Sequence, residues 1–351
     1  MVFAVGVAAV GCDQGSQHQQ PTFTRYVSLV SSNVDATHPL AVDGVISLQF
    51  DRYLNPASIG RQSFIVADAA GQPLQGGIVS YDPVALTVTI AGPNTPASGT
   101  SPAAPWLTAG QSYKLFLPIS SSVTEVSGVR AIDNAPLDPA AGPIELPFNV
   151  GSAKGVSTPP QMKFCADILP VLQTKCGTGS PCHSPPDGTK NPAASLILTT
   201  PEGVAQTAIG RVSQASNTSG IAGQAVPANR VFGLNYPIID PGHAATSWLV
   251  YKIAMAPPPD NSVVSDKPLK CPDATGKSFD PQIVGTKTSA YPPSVDEAAA
   301  LSDAILGRSM PYPSYGPTAT YATNPLDLEE RERIRLWIDQ GAPVQACGPC
   351  Q

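Results

Sequence analysis

The chain has 351 residues, of which 42% are hydrophobic and 13% are charged, and its net charge is −6 at pH 7. This length accommodates two domains with an adequate core in each, and the composition is too apolar for a disordered chain. No basic stripe is present, so we expect no nucleic acid among its partners. No apolar run reaches the roughly 18–20 residues that a membrane-spanning helix needs.

The first twelve residues are apolar up to Cys12 and are typical of the end of an export signal. The segment Ala9-Val10-Gly11-Cys12 resembles a lipobox, which implies that Cys12 is acylated and anchors the protein to a membrane of the cell envelope, on its periplasmic face or at the cell surface. The alternative is an ordinary apolar N-terminus with a chance cysteine. Signal peptides carry a basic region that is missing before Cys12, so we expect a start further upstream. Residues 13–21 are expected to be a flexible spacer.

Residues 22–150 carry the pattern of an all-β domain. Apolar residues alternate with polar or smaller ones in three segments, namely Ile46, Leu48 and Phe50; Leu86, Val88 and Ile90; and Tyr113, Leu115 and Leu117. A period of two places one face of each strand in a core. Turn-forming clusters separate these segments, so consecutive strands should pair antiparallel in a small β-sandwich.

The same region resembles bacterial immunoglobulin-like (Ig-like) domains of the S-layer type. The matching segments are PLAVDGVISLQFDRYLNPASIGRQSFIVAD, LTAGQSYKLFL and IELPFNV. The resemblance implies an Ig-like sandwich that acts as a spacer or docking module and brings no chemistry of its own.

Residues 151–161 have the composition of a linker, and few contacts are expected to cross it. The remainder, 162–351, is predicted to be a second, mainly helical domain with long proline-rich loops. Helical periodicity predicts four helices, over 164–175, 244–254, 295–306 and 328–340. The last two open with the capping-box patterns Ser294-x-x-Glu297 and Asp327-x-x-Glu330.

The segment from Cys176 to His183 holds the chemistry-bearing residues of this second domain. Covalent haem attachment needs two thiols and an adjacent histidine that coordinates the iron. Here five residues separate Cys176 from Cys182, whereas the usual motif has two, and His183 follows directly. The alternative is a disulfide between Cys176 and Cys182 that closes a tight loop and leaves His183 at the surface.

Four blocks of the second domain resemble planctomycete-type cytochrome c domains in sequence and in order. They are ILPVLQTKC with its CH, then DPGHAATSWLVYK, then SMPYP, and finally LWIDQGA. The resemblance implies a class I cytochrome c-like fold with one covalent haem c, attached through Cys176 and Cys182. It also implies that His183 is the proximal ligand of the iron and that Met310 is the distal ligand.

The distal side leaves alternatives open. Met310 could be a core methionine, Met255 is a rival distal ligand, and an open distal site is possible. Trp337 is expected to pack in the core, against the porphyrin edge if haem is bound.

The remaining cysteines after residue 160 are predicted to be structural. They are Cys165, Cys271, Cys347 and Cys350, enough for two disulfides with three possible connectivities. Cys347-Gly-Pro-Cys350 copies the thioredoxin active-site tetrapeptide, but it follows a helix where a redox motif should precede one.

These observations predict an electron-transfer lipoprotein with a periplasmic or cell-surface redox partner. The alternative is a haem-free surface adhesion or structural lipoprotein whose cytochrome-like domain is stapled by disulfides. A haem enzyme such as a peroxidase would need further distal residues or a second haem, so we expect no enzyme.

Overall fold

A computed structural model describes the residues 25–92, 106–119, 127–152, 160–177, 182–186, 191–213, 232–233, 235–255, 297, 301, 304–305, 310–311 and 325–347. Strands occupy the first half of the chain and helices the second. We refer to residues 25–152 as the β part and to residues 160–347 as the helical part. The predicted lipidation site, Cys12, lies outside the described residues.

The β part contains two antiparallel sheets. Its strands are β1 (Leu29–Ser32), β2 (Ile46–Phe50), β3 (Ile65–Asp68), β4 (Ile78–Asp82), β5 (Thr87–Ala91), β6 (Ser112–Leu117) and β7 (Ile144–Asn149). One sheet has the order β1-β2-β5-β4 and the other the order β3-β6-β7. The strands pair antiparallel, as predicted, but not always with their neighbour in sequence, since β2 pairs with β5 and β3 pairs with β6.

The inner faces of the two sheets share one hydrophobic core. Ile46, Leu48 and Phe50 of β2 are fully buried, and Leu48 lies opposite Val88 of β5. On the second sheet Leu115 is also fully buried. The alternation of apolar residues therefore predicted correctly which face of each strand is inside.

Leu86 departs from that pattern. It precedes β5, has a positive φ of 54°, and is fully buried in a different cluster, together with Tyr53 and Trp248. The turn before β5 rotates this side chain out of the sandwich, so Leu86 packs toward the helical part.

The helical part has four described α-helices, namely α1 (Leu169–Cys176), α2 (Pro201–Thr207), α3 (Trp248–Ala254) and α4 (Leu328–Asp339). A π-helical turn, Phe164–Ile168, leads into α1, and a 3-10 turn, Ala244–Thr246, precedes α3. None of the helices described is long and apolar enough to cross a membrane.

Helix α4 begins as its sequence predicts. Asp327 accepts a hydrogen bond from the Glu330 backbone, and the Glu330 carboxylate accepts one from the Asp327 backbone, which is a complete capping box. The buried face of α4 contacts the turn that leads into α1, where the rings of Phe164 and Trp337 lie 5.4 Å apart. These contacts form the core of the helical part.

A buried ion pair joins the two parts. Arg52, which lies just beyond the end of β2, donates from Nε to Glu297 Oε2 at 2.9 Å, and both side chains are 1% exposed. The second Glu297 oxygen accepts the Tyr53 backbone N–H at 2.7 Å. Burial alone would lower the pKa of Arg52, but Glu297 and Asp133 raise it above its ordinary value, so the guanidinium stays charged.

An apolar cluster surrounds this ion pair and draws on both parts. The β part contributes Tyr53, Leu86 and Ile132, and the helical part contributes Phe232, Trp248, Tyr251, Ala254, Met255, Leu301, Ala304 and Ile305. We call this cluster, together with the Arg52–Glu297 pair, the junction. The expectation that few contacts cross between the parts is therefore wrong, while the linker boundary at 151–161 stays a prediction.

The junction predicts that the two parts stay together when the linker is cut. A protease site inserted between Gly151 and Gln161 should give two fragments that co-elute in size-exclusion chromatography under native conditions. In Glu297→Ala the buried Arg52 charge loses its Glu297 carboxylate partner, which costs on the order of 3 kcal/mol. The fragments should therefore associate at least about 100-fold more weakly.

Glu145→Ala is the matched control. Glu145 forms an ion pair of 3.6 Å with Lys114, and both side chains are more than half exposed. Loss of such a surface pair costs only about 0–1 kcal/mol. If the fragments without a substitution separate after cutting, the junction does not hold the two parts together.

Candidate functional site

Cys182 and His183 lie beside the end of α1. The His183 backbone N–H donates to the Cys176 carbonyl at 3.0 Å, and the Ser184 hydroxyl donates to the Gly177 carbonyl at 2.9 Å. A Cβ on Gly177 would lie 2.3 Å from the Thr199 side chain. Glycine is therefore required where the chain leaves the helix.

His183 is buried, although the disulfide alternative placed it at the surface. Its Nδ1 lies 3.2 Å from the Leu196 carbonyl oxygen, so this nitrogen carries the proton and donates. The His183 carbonyl accepts the Leu198 backbone N–H at 2.8 Å. Burial lowers the pKa of His183, which keeps the ring neutral at pH 7.

Cys176 and Cys182 both carry thiols, so the alternative disulfide between them is not formed. Burial, with a smaller effect of Cys182, raises the pKa of Cys176 to about 12. Burial also raises the pKa of Cys182, which is less deeply enclosed. Neither sulfur is an activated thiolate at pH 7.

The two methionines occupy different surroundings. Met310 packs against the core of the helical part from its edge, and its backbone N–H donates to the Lys252 carbonyl at 3.0 Å. Met255 is 5% exposed and belongs to the junction. Met255 is therefore a packing residue of the junction.

The prediction of a covalent haem c is wrong. Within the described ranges, no group of three or more His, Cys, Asp or Glu side chains could hold a metal ion. Two cysteines instead form a disulfide, which joins Cys165 to Cys347. Trp337, which was expected at a porphyrin edge, packs on Phe164 and donates from Nε1 to the Pro343 carbonyl at 3.0 Å.

The same correction applies to the ligand set built on the haem. Cys176 is enclosed in the side-chain core of the helical part, and the ring of His183 is held by a backbone carbonyl. The ligand roles of Cys176, Cys182, His183 and Met310 were assigned through the haem and are withdrawn with it.

The disulfide between Cys165 and Cys347 spans 182 residues of sequence, with its two Cα atoms 5.5 Å apart. It ties the turn before α1 to the segment after α4. Gln340 strengthens this closure, since its side-chain oxygen accepts the Met162 backbone N–H at 2.8 Å. Cys271 and Cys350, the other cysteines predicted to be structural, lie outside the described residues.

Removal of this disulfide should destabilise the protein substantially. Cys165→Ala/Cys347→Ala frees a long loop in the unfolded chain, and the expected loss is about 2–5 kcal/mol in the free energy of unfolding. Urea denaturation followed by circular dichroism measures it. Cys182→Ala, which leaves that loop closed, is the control, and an equal loss in both variants would show that the disulfide itself contributes little.

A second charged cluster lies where α4 meets the β part. The Arg335 guanidinium contacts three carboxylates: Asp82 at the end of β4 at 2.9 Å, Asp339 at 2.7 Å, and Glu332. One guanidinium cannot neutralise three carboxylates, of which Glu332 is the most buried. Burial, together with the Asp82 charge, raises the pKa of Glu332 to about 7, and burial raises that of Asp339 as well.

Sequence reasoning overlooked this cluster. The spacing of Glu332, Arg335 and Asp339 along α4 is that of i,i+3 and i,i+4 ion pairs, which could have revealed its helical half. No signal in the sequence connects Asp82 to them.

The raised pKa of Glu332 predicts a pH dependence of stability. Its ordinary value is 4.5, so the favourable contribution is complete below pH 4.5 and is lost as pH rises through about 7. Glu332→Gln should match the wild type in free energy of unfolding at pH 5. At pH 8 it should be more stable by on the order of 1–3 kcal/mol.

Urea denaturation at both pH values measures this difference. Glu145→Gln, at an exposed pair, is the control and should follow the wild type at both. If Glu332→Gln is less stable than the wild type at pH 8, the ionised carboxylate is a net stabilising partner of Arg335.

Comparison with known proteins gives little. No family model matches the chain, and no curated protein matches it. Among solved structures, the crystal structure of the S-layer protein rSbsC(31-844) matches with 15% identity and a TM-score of 0.24, over 40% of this chain and 15% of that chain. The match thus spans far less than two thirds of that protein. Such a score does not establish a common fold, and it gives no support to the cytochrome resemblance.

Proposed function

We propose that this protein is an exported component of the cell envelope with a structural or binding role and no catalytic step. An Ig-like β part and a disulfide-stapled helical part act together as one rigid module. This role corresponds to the haem-free surface adhesion or structural lipoprotein that the sequence offered as the alternative. The expected redox partner depended on the haem and is abandoned with it.

The observation that carries the proposal is the junction. A module that spaces or presents a surface must keep its parts in a fixed orientation. The Arg52–Glu297 pair is buried on both sides, and the apolar cluster around it takes side chains from both parts. Arg335 and Asp82 add a second bridge at 2.9 Å. Interfaces of this kind resist the relative motion that a simple linker allows.

The strand order supports the Ig-like assignment of the β part. Constant-type Ig domains have seven strands, with A, B, E and D in one sheet and C, F and G in the other. When the seven strands here are lettered in chain order, the sheets β1-β2-β5-β4 and β3-β6-β7 give the same two sets. Domains of this architecture commonly serve as spacers and binding modules, although the fold alone does not define the role.

The disulfide supports a location outside the cytoplasm. Structural disulfides persist in oxidising compartments and are rare where thiols are kept reduced. The Cys165–Cys347 bond has an ordinary Cα separation of 5.5 Å. Together with the lipobox-like segment before Cys12, it favours a lipoprotein that is held at a membrane by its N-terminus.

Anchoring is tested by Cys12→Ser in protein expressed from an upstream start with a complete signal. The wild type should sediment with membranes and incorporate labelled fatty acid, because acylation requires the cysteine sulfur. The variant should move to the soluble envelope fraction without label. Cys182→Ser is the matched control and should stay with the membrane. A Cys12→Ser protein that remains with the membrane would rule out the lipid anchor.

A further inference from the structure

We propose that Cys176 and Cys182 form a dithiol that undergoes reversible thiol–disulfide exchange with small-molecule disulfides. This site is separate from the Cys165–Cys347 staple. The inference goes beyond the envelope role and does not depend on it.

Backbone geometry places the two cysteines within reach of each other. The His183 nitrogen is 3.0 Å from the Cys176 carbonyl oxygen. In standard geometry a Cα lies about 2.4 Å from its own carbonyl oxygen and from the next residue's nitrogen, so the Cα atoms of Cys176 and Cys182 are at most about 8 Å apart. Disulfides need a Cα separation of about 4.4–6.8 Å, a range that lies within this limit.

Backbone contacts on both sides hold Cys182 in place. The Ser184 hydroxyl donates to the Gly177 carbonyl at 2.9 Å, and the Ala193 backbone N–H donates to the Cys182 carbonyl at 3.3 Å. The electrostatic effect of Cys182 on the pKa of Cys176 agrees with this proximity.

Burial assigns different roles to the two sulfurs. Cys182 is half-buried, whereas Cys176 is buried at the end of α1. Cys182 is therefore the thiol that an external disulfide can reach. Cys176 attacks the mixed disulfide from its buried side, which a bulky external disulfide cannot reach.

The exchange balances in two steps. The Cys182 thiol loses a proton to water, and its sulfur attacks oxidised glutathione, forming a mixed disulfide and releasing one glutathione thiolate. The Cys176 thiol then loses its proton and attacks the Cys182 sulfur, which releases the second glutathione thiolate. Two cysteine thiols are oxidised to one disulfide, and one glutathione disulfide is reduced to two thiols.

Peptide mapping tests the proposal on the full chain. Trypsin cuts after Lys175 and Lys190 and releases both cysteines in a single peptide. The protein is reduced, exposed to oxidised glutathione, alkylated and digested. The expected peptide is lighter than the dithiol form by two hydrogen atoms and takes no alkyl group. Dithiothreitol should restore both alkylation sites. Re-formation of Cys165–Cys347 in the same sample is the internal control.

Two variants test the order of the steps. Cys176→Ala should accumulate a glutathione adduct on Cys182, whereas Cys182→Ala should leave Cys176 without an adduct until the protein is unfolded. The rate of wild-type exchange should rise about tenfold per pH unit between pH 6 and 8, because both thiols have pKa values above the ordinary range. The proposal is overturned if the wild-type peptide remains a dithiol while Cys165–Cys347 re-forms, or if Cys182 pairs instead with Cys271 or Cys350.

Discussion

The ion pair between Arg52 and Glu297 constrains the whole molecule, because both charges are withdrawn from water. Removing either ion from solvent costs several kcal/mol, and only a close partner with further hydrogen bonds offsets that cost. Glu297 has these partners, since Arg52 and the Tyr53 backbone N–H both donate to it. An orientation of the helical part that separated this pair would leave Arg52 with Asp133 and would take from Glu297 its buried guanidinium partner. The pair therefore specifies how the parts dock, and the apolar cluster around it supplies most of the attraction.

The register of the β part explains why the docking surface lies where it does. Strands β2 and β4 both pair with β5, and the Phe50 backbone N–H donates to the Leu86 carbonyl at 2.9 Å. The residues at the end of β2 and in the turn between β4 and β5 are thus neighbours. Arg52, Asp82 and Leu86 consequently lie at one end of the sandwich. The loop-rich ends of β-sandwiches commonly carry binding surfaces, and here the helical part covers this end.

Local patterns predicted the strands and helices well, whereas contacts between residues distant in sequence were predicted poorly. The alternation in β2 and the capping box at Asp327 each depend on neighbours within a few positions, so the sequence contained the necessary information. Arg52, the partner of Glu297, lies 245 residues away from it, and Asp82 lies more than 250 residues away from Arg335. No local rule connects the two members of either pair. The haem prediction failed for a related reason. The Cys-His motif does not reveal how tightly the surrounding core is packed by its own side chains.

The covalent closure of the helical part has a mechanical consequence. Cys165 lies a few residues after the linker, and Cys347 lies near the end of the chain. A pulling force applied between the β part and the C-terminus enters the helical part at Cys165, passes through the sulfur–sulfur bond and bypasses the residues between the two cysteines. Helices α1 to α4 therefore bear almost no tension. Load falls on the β part, so a molecule stretched between its two ends would extend there first while the helical part keeps its shape.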